Sequence, residues 1–115
     1  MRSRTILLVD DEAEIRAFIA AALDDPGYTV LQAETGYEAV GILAENWVDL
    51  LLTDVRMPGI DGFELARQAK VMRPTMEVIY MSGYARDDPG QTFGETLEKP
   101  VRLPDLLRTV EKLLA

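Results

Sequence analysis

Short apolar runs alternate along the chain with longer segments of helical spacing, and this alternation constrains the fold more than any other feature. The runs lie at residues 5–9, 28–33, 50–53, 77–81 and, more weakly, 96–98. The first and third runs are apolar without alternation, as expected for strands that are covered on both faces of a parallel sheet. The pattern therefore predicts an α/β domain built from βα units around a parallel sheet.

The segments between the runs have the periodicity of amphipathic helices. Residues 12–23 and 36–46 place apolar side chains on one helical face, and a third segment of this kind ends before Pro74. The last helix is the clearest, because Pro104 suits a first helical position and Asp105 suits the positive end of the helix. A stripe of Leu and Val residues follows and predicts a core-facing side.

A fourth helix is expected between the fourth and fifth strands, but its sequence is unfavourable. Residues 87–90 are Asp-Asp-Pro-Gly, and Gly94 follows, so proline and glycine interrupt the segment. We therefore expect a short or irregular fourth helix within a doubly wound (βα)5 fold. In such a fold the ligand site lies beyond the carboxyl ends of the strands.

The composition restricts the classes of ligand. The 115 residues are 48% hydrophobic, so we expect one domain over residues 1–115. A net charge of −8 argues against direct binding of nucleic acid, which depends on clustered Lys and Arg. Because the chain has neither Cys nor His, any metal should be a hard cation on oxygen ligands.

The first apolar run ends at Asp10 and is too short for a signal peptide or a membrane span. The sequence thus predicts no membrane insertion and a cytoplasmic location, with tethering only if the chain belongs to a longer, membrane-anchored protein.

Three carboxylates follow predicted strands. Asp10 and Asp11 come directly after the first run, and Asp54 comes after the third. Parallel strands would bring all three to the same edge of the sheet, where their mutual repulsion calls for a cation. Oxygen ligands that leave room for water suit Mg²⁺. The sequence therefore predicts a magnesium site at this edge.

A hydroxyl and an ammonium group follow two further strands at the same edge. Ser82 comes directly after the fourth run and Lys99 directly after the fifth. A carboxylate can act as a nucleophile toward phosphorus, while a metal, a lysine and a hydroxyl stabilise the phosphoryl oxygens. Alone, the aspartates could be a helix cap or a turn, and Ser82 and Lys99 ordinary turn and surface residues. Their joint occurrence favours a phosphoacceptor pocket.

Four segments in this order resemble the receiver domains of response regulators, the CheY-like family of two-component signalling. They are residues 8–12 (LVDDE), 52–62 (LTDVRMPGIDG), 81–84 (MSGY) and 98–100 (EKP). The resemblance covers essentially the whole chain. It implies a flavodoxin-like sheet with strand order 2-1-3-4-5 and a cis peptide bond before Pro100.

The resemblance also implies roles for the site residues. Asp54 would accept the phosphoryl group, and Ser82 and Lys99 would bind its oxygens. The ligands of Mg²⁺ would be Asp11, Asp54 and the backbone carbonyl of Arg56, with Asp10 binding directly or through water. The phosphodonor would be a histidine kinase or a histidine phosphotransfer protein that docks on the first helix. Phosphorylation would shift a conformational equilibrium that an output partner reads; the sequence does not identify this partner.

The chain departs from the family pattern at the expected switch. Thr96 stands where many receivers carry Tyr or Phe, which places the usual aromatic readout in doubt. Arg56 and Tyr84 occupy positions that tune the lifetime of the phosphoryl group in the family. Two alternative functions are a receiver-fold scaffold that is not phosphorylated and a metal-dependent phosphohydrolase. The second is disfavoured because Arg56 replaces an acid common in such enzymes, so we expect a phosphoacceptor rather than an enzyme.

Overall fold

The computed structural model describes residues 3–24, 26–83 and 93–115, and all structural statements below concern these residues. They form one five-stranded sheet in the order β2-β1-β3-β4-β5, and every neighbouring pair is parallel. The strands are β1 Thr5–Val9, β2 Thr29–Ala33, β3 Leu50–Asp54, β4 Glu77–Ser82 and β5 Glu95–Glu98. The helices are α1 Ala13–Asp24, α2 Gly36–Glu45, α3 Gly62–Met72 and α4 Leu103–Leu113. The predicted fold class and strand order are confirmed.

The expected short fourth helix falls on a stretch of which residues 84–92 lie outside the described part of the chain. It stays a prediction, and the label α4 is used here for the last helix. No helix among the described residues is long and apolar enough to cross a bilayer.

Two apolar clusters cover the two faces of the sheet. On one face Leu7, Val9 and Leu51 pack with buried residues of α2 and α3. On the other face Leu8 and Leu52 pack with buried residues of α1 and α4. Successive side chains of a strand point to opposite faces, so an uninterrupted apolar run supplies both clusters at once. Burial of each such side chain stabilises the fold by about 1.5–3 kcal/mol.

The junction between β3 and α3 is packed backbone against backbone. The amide of Gly62 donates to the carbonyl of Val55 at 2.8 Å. A Cβ atom on Gly62 would lie 2.3 Å from the carbonyl oxygen of Asp54, a separation that no side chain tolerates. Asp61 caps α3 by accepting a hydrogen bond from the amide of Glu64 at 2.8 Å. The end of β3 is therefore fixed against the start of α3.

Candidate functional site

The three predicted carboxylates meet at the carboxyl edge of the sheet. Asp10 follows β1, Asp11 follows Asp10, and Asp54 is the last residue of β3. One oxygen from each carboxylate can be chosen such that all three lie within 4.8 Å of one another. Asp10 is fully buried and Asp54 is 6% exposed, whereas Asp11 faces solvent. The arrangement is a half-buried acidic pocket with one open side.

Lys99 places an ammonium group among these carboxylates. Its Nζ lies 3.1 Å from Oδ2 of Asp54 and 3.4 Å from Oδ2 of Asp10. Its amide donates to the carbonyl of Ser82 at 2.8 Å, so the ends of β4 and β5 are tied together beside the pocket. The peptide bond from Lys99 to Pro100 is cis, as predicted. The ammonium group of Lys99 alone does not balance the three carboxylates, which leaves negative charge for a further cation to neutralise.

Asp10 is held by its backbone and by its side chain. Its Oδ1 accepts a hydrogen bond from the amide of Glu12 at 2.9 Å, and its own amide donates to the carbonyl of Ala33 at 3.2 Å. Its carbonyl accepts a hydrogen bond from Nη1 of Arg16 at 2.7 Å. These contacts fix the loop after β1 and orient the remaining oxygen, Oδ2, toward Lys99. A ligand would meet a carboxylate that is already in place.

Burial dominates the protonation chemistry of Asp54. Loss of hydration raises the pKa of its carboxyl above the ordinary 3.8, and the charges of Asp10 and Asp11 raise this pKa further. The hydrogen bond and the charge of Lys99 act in the opposite direction. For Lys99, burial lowers the pKa of the ammonium, but the aspartates outweigh burial and raise it. Lys99 is thus held charged, while the charge on Asp54 is costly in the metal-free pocket.

This raised pKa predicts a pH-dependent stability difference. Folding raises the pKa of this carboxyl above its unfolded value, which is near 3.8. Its contribution to stability is therefore fully present at pH values below 3.8 and is lost as the pH rises through the folded-state pKa. Asn cannot ionise, so the Asp54→Asn variant does not lose this stability. In chelator, we expect its melting temperature to exceed that of wild type by a margin that grows from pH 4 to pH 7. Thermal unfolding of both proteins across this range measures it. A difference that stays constant or shrinks with pH would contradict the prediction.

Of the other predicted site residues, the structure describes Ser82, Arg56 and Thr96. Ser82 is 4% exposed and ends β4, beside the pocket edge. Arg56 is exposed in the turn after β3. Thr96 lies on the edge strand β5 with an exposed side chain, opposite Tyr80 in the parallel register. Tyr84 belongs to the residues that the structure does not describe.

Arg16 was not singled out from the sequence. It lies one helical turn after Glu12, to whose carbonyl its amide donates at 3.0 Å, and this spacing returns its side chain to the loop after β1. The helical periodicity alone could have placed it near the acidic pocket. Its contact with a backbone carbonyl, however, depends on the local turn and carries no sequence signature.

Tyr80 was also missed. Its ring is 1% exposed and lies 5.0 Å from the ring of Phe63, centroid to centroid. Its hydroxyl accepts a hydrogen bond from the amide of Phe93 at 3.2 Å, and burial raises the pKa of the phenol. An aromatic side chain therefore does contact the segment that leads into β5, but it comes from β4 and not from the position of Thr96.

Comparison with known proteins agrees with this geometry. The sequence model for the response regulator receiver domain matches residues 6–111. The chain belongs to this family. It is a receiver domain of two-component signalling, the module that accepts a phosphoryl group, and the scaffold and phosphohydrolase alternatives gain no support from the comparisons.

Relatives occur both as single domains and within longer proteins. The receiver domain is 36% identical over 116 residues to the response regulator receiver protein CpdR of Brucella abortus, covering 96% of this chain and 97% of CpdR. It is 39% identical over 119 residues to the sensor kinase CckA of the same organism, covering 97% of this chain but 13% of CckA. The crystal structure of response regulator protein TrrA from Thermotoga maritima, in complex with Mg²⁺ and BeF, superposes with a TM-score of 0.88. TrrA is 32% identical, and the alignment covers 96% of this chain and 98% of TrrA.

Proposed function

We propose that Asp54 is the phosphoacceptor of this receiver domain. The observation that supports this most directly is the ion pair of 3.1 Å between Lys99 Nζ and Asp54 Oδ2 in the half-buried acidic pocket. An Asp54 oxygen would form a bond to phosphorus as the bond from phosphorus to the donor breaks, and the donor would leave with that electron pair. The ammonium group of Lys99 would stabilise the negative charge that develops on the phosphoryl oxygens. The Ser82 hydroxyl would donate a hydrogen bond to one of these oxygens.

We propose Mg²⁺ as the cofactor of this reaction. The donor set fits, because the nearby carboxylates of Asp10, Asp11 and Asp54 supply only oxygen ligands. The backbone carbonyl of Arg56 would supply a further oxygen. When bound, the ion would neutralise the excess acid charge and the charge of the incoming phosphoryl group. Asp54 and Lys99 bring the acceptor oxygen and a fixed positive charge to the same place.

The proposed product remains on the protein itself, so we do not assign an enzyme activity toward a separate substrate. Arg56 is exposed and lies two residues after Asp54. It would influence how long the acyl phosphate survives, together with Tyr84. Thr96 would take part in the switch only as a small residue of the edge strand. Residues 1–115 are proposed to act as one receiver domain.

The proposed donor is a histidine kinase or a histidine phosphotransfer protein, since this chain has no histidine. An apolar cleft beside the pocket supports a protein donor. It is lined by Ile15, Phe18 and Ile19 of α1 and by Pro100 and Val101 after β5, and Lys99 lines it as well. Phe18 is 60% exposed. A protein bound in this cleft would lie next to the ammonium group that faces Asp54.

Substitution of Phe18 should separate protein donors from small donors. An exposed aromatic ring at the centre of an interface commonly contributes 2 kcal/mol or more, which corresponds to about 30-fold in affinity. For Phe18→Asp we expect the ratio of labelling by a histidine phosphodonor to labelling by acetyl phosphate to fall by about tenfold or more. Val71→Asp, at a residue of α3 that is 76% exposed, is the matched control. An unchanged ratio in Phe18→Asp would place the donor on another face.

The proposed chemistry is tested by mixing the protein with Mg²⁺ and acetyl phosphate and recording its intact mass promptly, because acyl phosphates hydrolyse. We expect the mass gain of one phosphoryl group, and we expect no gain in a chelated sample. A gain that persists in chelator would contradict the metal requirement. Failure with acetyl phosphate and then with a histidine phosphodonor would contradict the phosphoacceptor role itself.

A further inference from the structure

The three-residue loop between β1 and α1, residues 10–12, carries two of the three carboxylates of the acidic pocket. The amide of Asp10 donates to the carbonyl of Ala33 at 3.2 Å, which ties the start of the loop to β2. The amide of Glu12 donates to Oδ1 of Asp10 at 2.9 Å, and the carbonyl of Glu12 accepts from the amide of Arg16 at 3.0 Å. These bonds connect the loop to the sheet and to the first turn of α1.

The side chain of Arg16 adds a contact to the peptide bond between Asp10 and Asp11. Its Nη1 donates to the carbonyl oxygen of Asp10 at 2.7 Å. This short distance is typical of a charge-assisted hydrogen bond, because the guanidinium is cationic. Arg16 is half-buried and Asp10 is fully buried, so the bond satisfies a carbonyl that lies away from bulk water.

The orientation of this carbonyl determines the direction of Asp11. A peptide bond is planar, so the carbonyl of Asp10 turns together with the nitrogen and Cα of Asp11. The carboxylate of Asp11 is exposed, whereas those of Asp10 and Asp54 are buried. Without the guanidinium, the Asp10 carbonyl would lose this donor, and the peptide would turn the oxygen toward water because an unpaired buried carbonyl is unfavourable. Asp11 would turn with it.

We propose that Arg16 is a positioning residue of the acidic pocket, which acts through the Asp10 carbonyl to hold the Asp11 carboxylate where Mg²⁺ would bind. This inference rests on the proposed function. Groups that orient metal ligands without touching the metal commonly change metal affinity by about 10–100-fold. A ligand that is already oriented need not be ordered when the metal binds, so the affinity is higher.

The sign of the effect distinguishes positioning from simple electrostatics. A guanidinium near a cation site repels Mg²⁺, so loss of its charge alone should strengthen Mg²⁺ binding. Loss of a positioning contact should weaken Mg²⁺ binding instead. The two roles of Arg16 therefore predict opposite changes for the same substitution.

The test measures Mg²⁺ affinity from backbone amide NMR shifts during titration of wild type, Arg16→Ala, Arg16→Met and Arg67→Ala. Met retains most of the apolar stem but has no N–H donor, so both Arg16 variants should bind Mg²⁺ about tenfold more weakly than wild type. Arg67 is exposed on α3, where it pairs with Glu64 at 2.6 Å. Its removal controls for the loss of one Arg charge and should leave the affinity unchanged. The dispersion of the amide signals in chelator shows whether each variant is folded.

A double-mutant cycle tests whether Arg16 acts through Asp11. If it does, the double variant Asp11→Asn with Arg16→Ala should lose less Mg²⁺ affinity than the product of the two single losses. Three results would overturn the positioning role and leave the proposed function intact: equal or tighter binding in Arg16→Ala, wild-type affinity in Arg16→Met, or losses that multiply in the cycle. An equal loss in Arg67→Ala would do the same. Absence of Mg²⁺ binding by wild type overturns the proposed metal site, and the inference with it.

Discussion

Replacement of Asp54 by Asn is expected to abolish phosphorylation while the domain remains folded. The amide has the shape of the carboxylate, but its oxygen is neutral and is a poor nucleophile toward phosphorus. We expect the mass gain with Mg²⁺ and acetyl phosphate to disappear completely.

Two controls separate loss of the acceptor from loss of the fold. Asp24→Asn changes an exposed aspartate at the end of α1 and should label like wild type. Thermal unfolding in chelator should show Asp54→Asn to be at least as stable as wild type near pH 7, because the substitution removes a charge that burial disfavours. A folded Asp54→Asn protein that still gains a phosphoryl group would show that another residue is the acceptor.

The central strands could be predicted from the sequence because they are covered on both faces. Every residue of Leu50–Asp54 is buried, and the apolar run that predicted this strand is continuous. The edge strand Glu95–Glu98 gave a weak signal, because its side chains alternate between partly covered and exposed. The hydrophobic pattern therefore predicts a strand well only where the strand is buried, because burial requires apolar side chains.

The strand ends were predicted one residue short at the pocket. The apolar runs stop before Asp54 and Ser82, yet both residues belong to their strands. Parallel pairing is made by the backbone and continues past the polar side chains: Val55 donates to the carbonyl of Met81 at 3.0 Å, and Lys99 donates to that of Ser82 at 2.8 Å. Polar residues end the pattern without ending the strand.

The convergence of the acidic side chains followed from topology alone, whereas their supporting contacts did not. Parallel strands end at one edge of the sheet, so residues that follow them must meet there. The hydrogen bond of Arg16 to the Asp10 carbonyl and that of Phe93 to the Tyr80 hydroxyl depend on side-chain rotamers and on the packing of distant segments. Neither leaves a spacing or a composition that sequence reasoning could detect.

Lys99→Ala is expected to have the second-largest effect, and it should change both stability and rate. The Lys99 side chain is 19% exposed, and its ammonium group lies near Asp10, which is fully buried, and Asp54. Its removal takes away the charge that pairs with Asp10 and Asp54, and breaking a buried ion pair costs about 3–5 kcal/mol. We expect a marked fall in the melting temperature of the metal-free protein at pH 7. Added Mg²⁺ should recover more stability in the variant than in wild type, because the ion replaces the lost charge.

The rate of labelling should fall even when Mg²⁺ restores the fold of Lys99→Ala. A single group that stabilises developing oxyanion charge commonly contributes about 10²–10³-fold in rate. Lys112→Ala is the matched control: Lys112 also pairs with an acid, Glu95 at 2.7 Å, but it is 61% exposed, and such pairs contribute about 0–1 kcal/mol. The control should label at the wild-type rate. If Lys99→Ala at saturating Mg²⁺ labelled as fast as this control, the ammonium would be a structural counter-ion of Asp10 and Asp54 and would take no part in phosphoryl transfer.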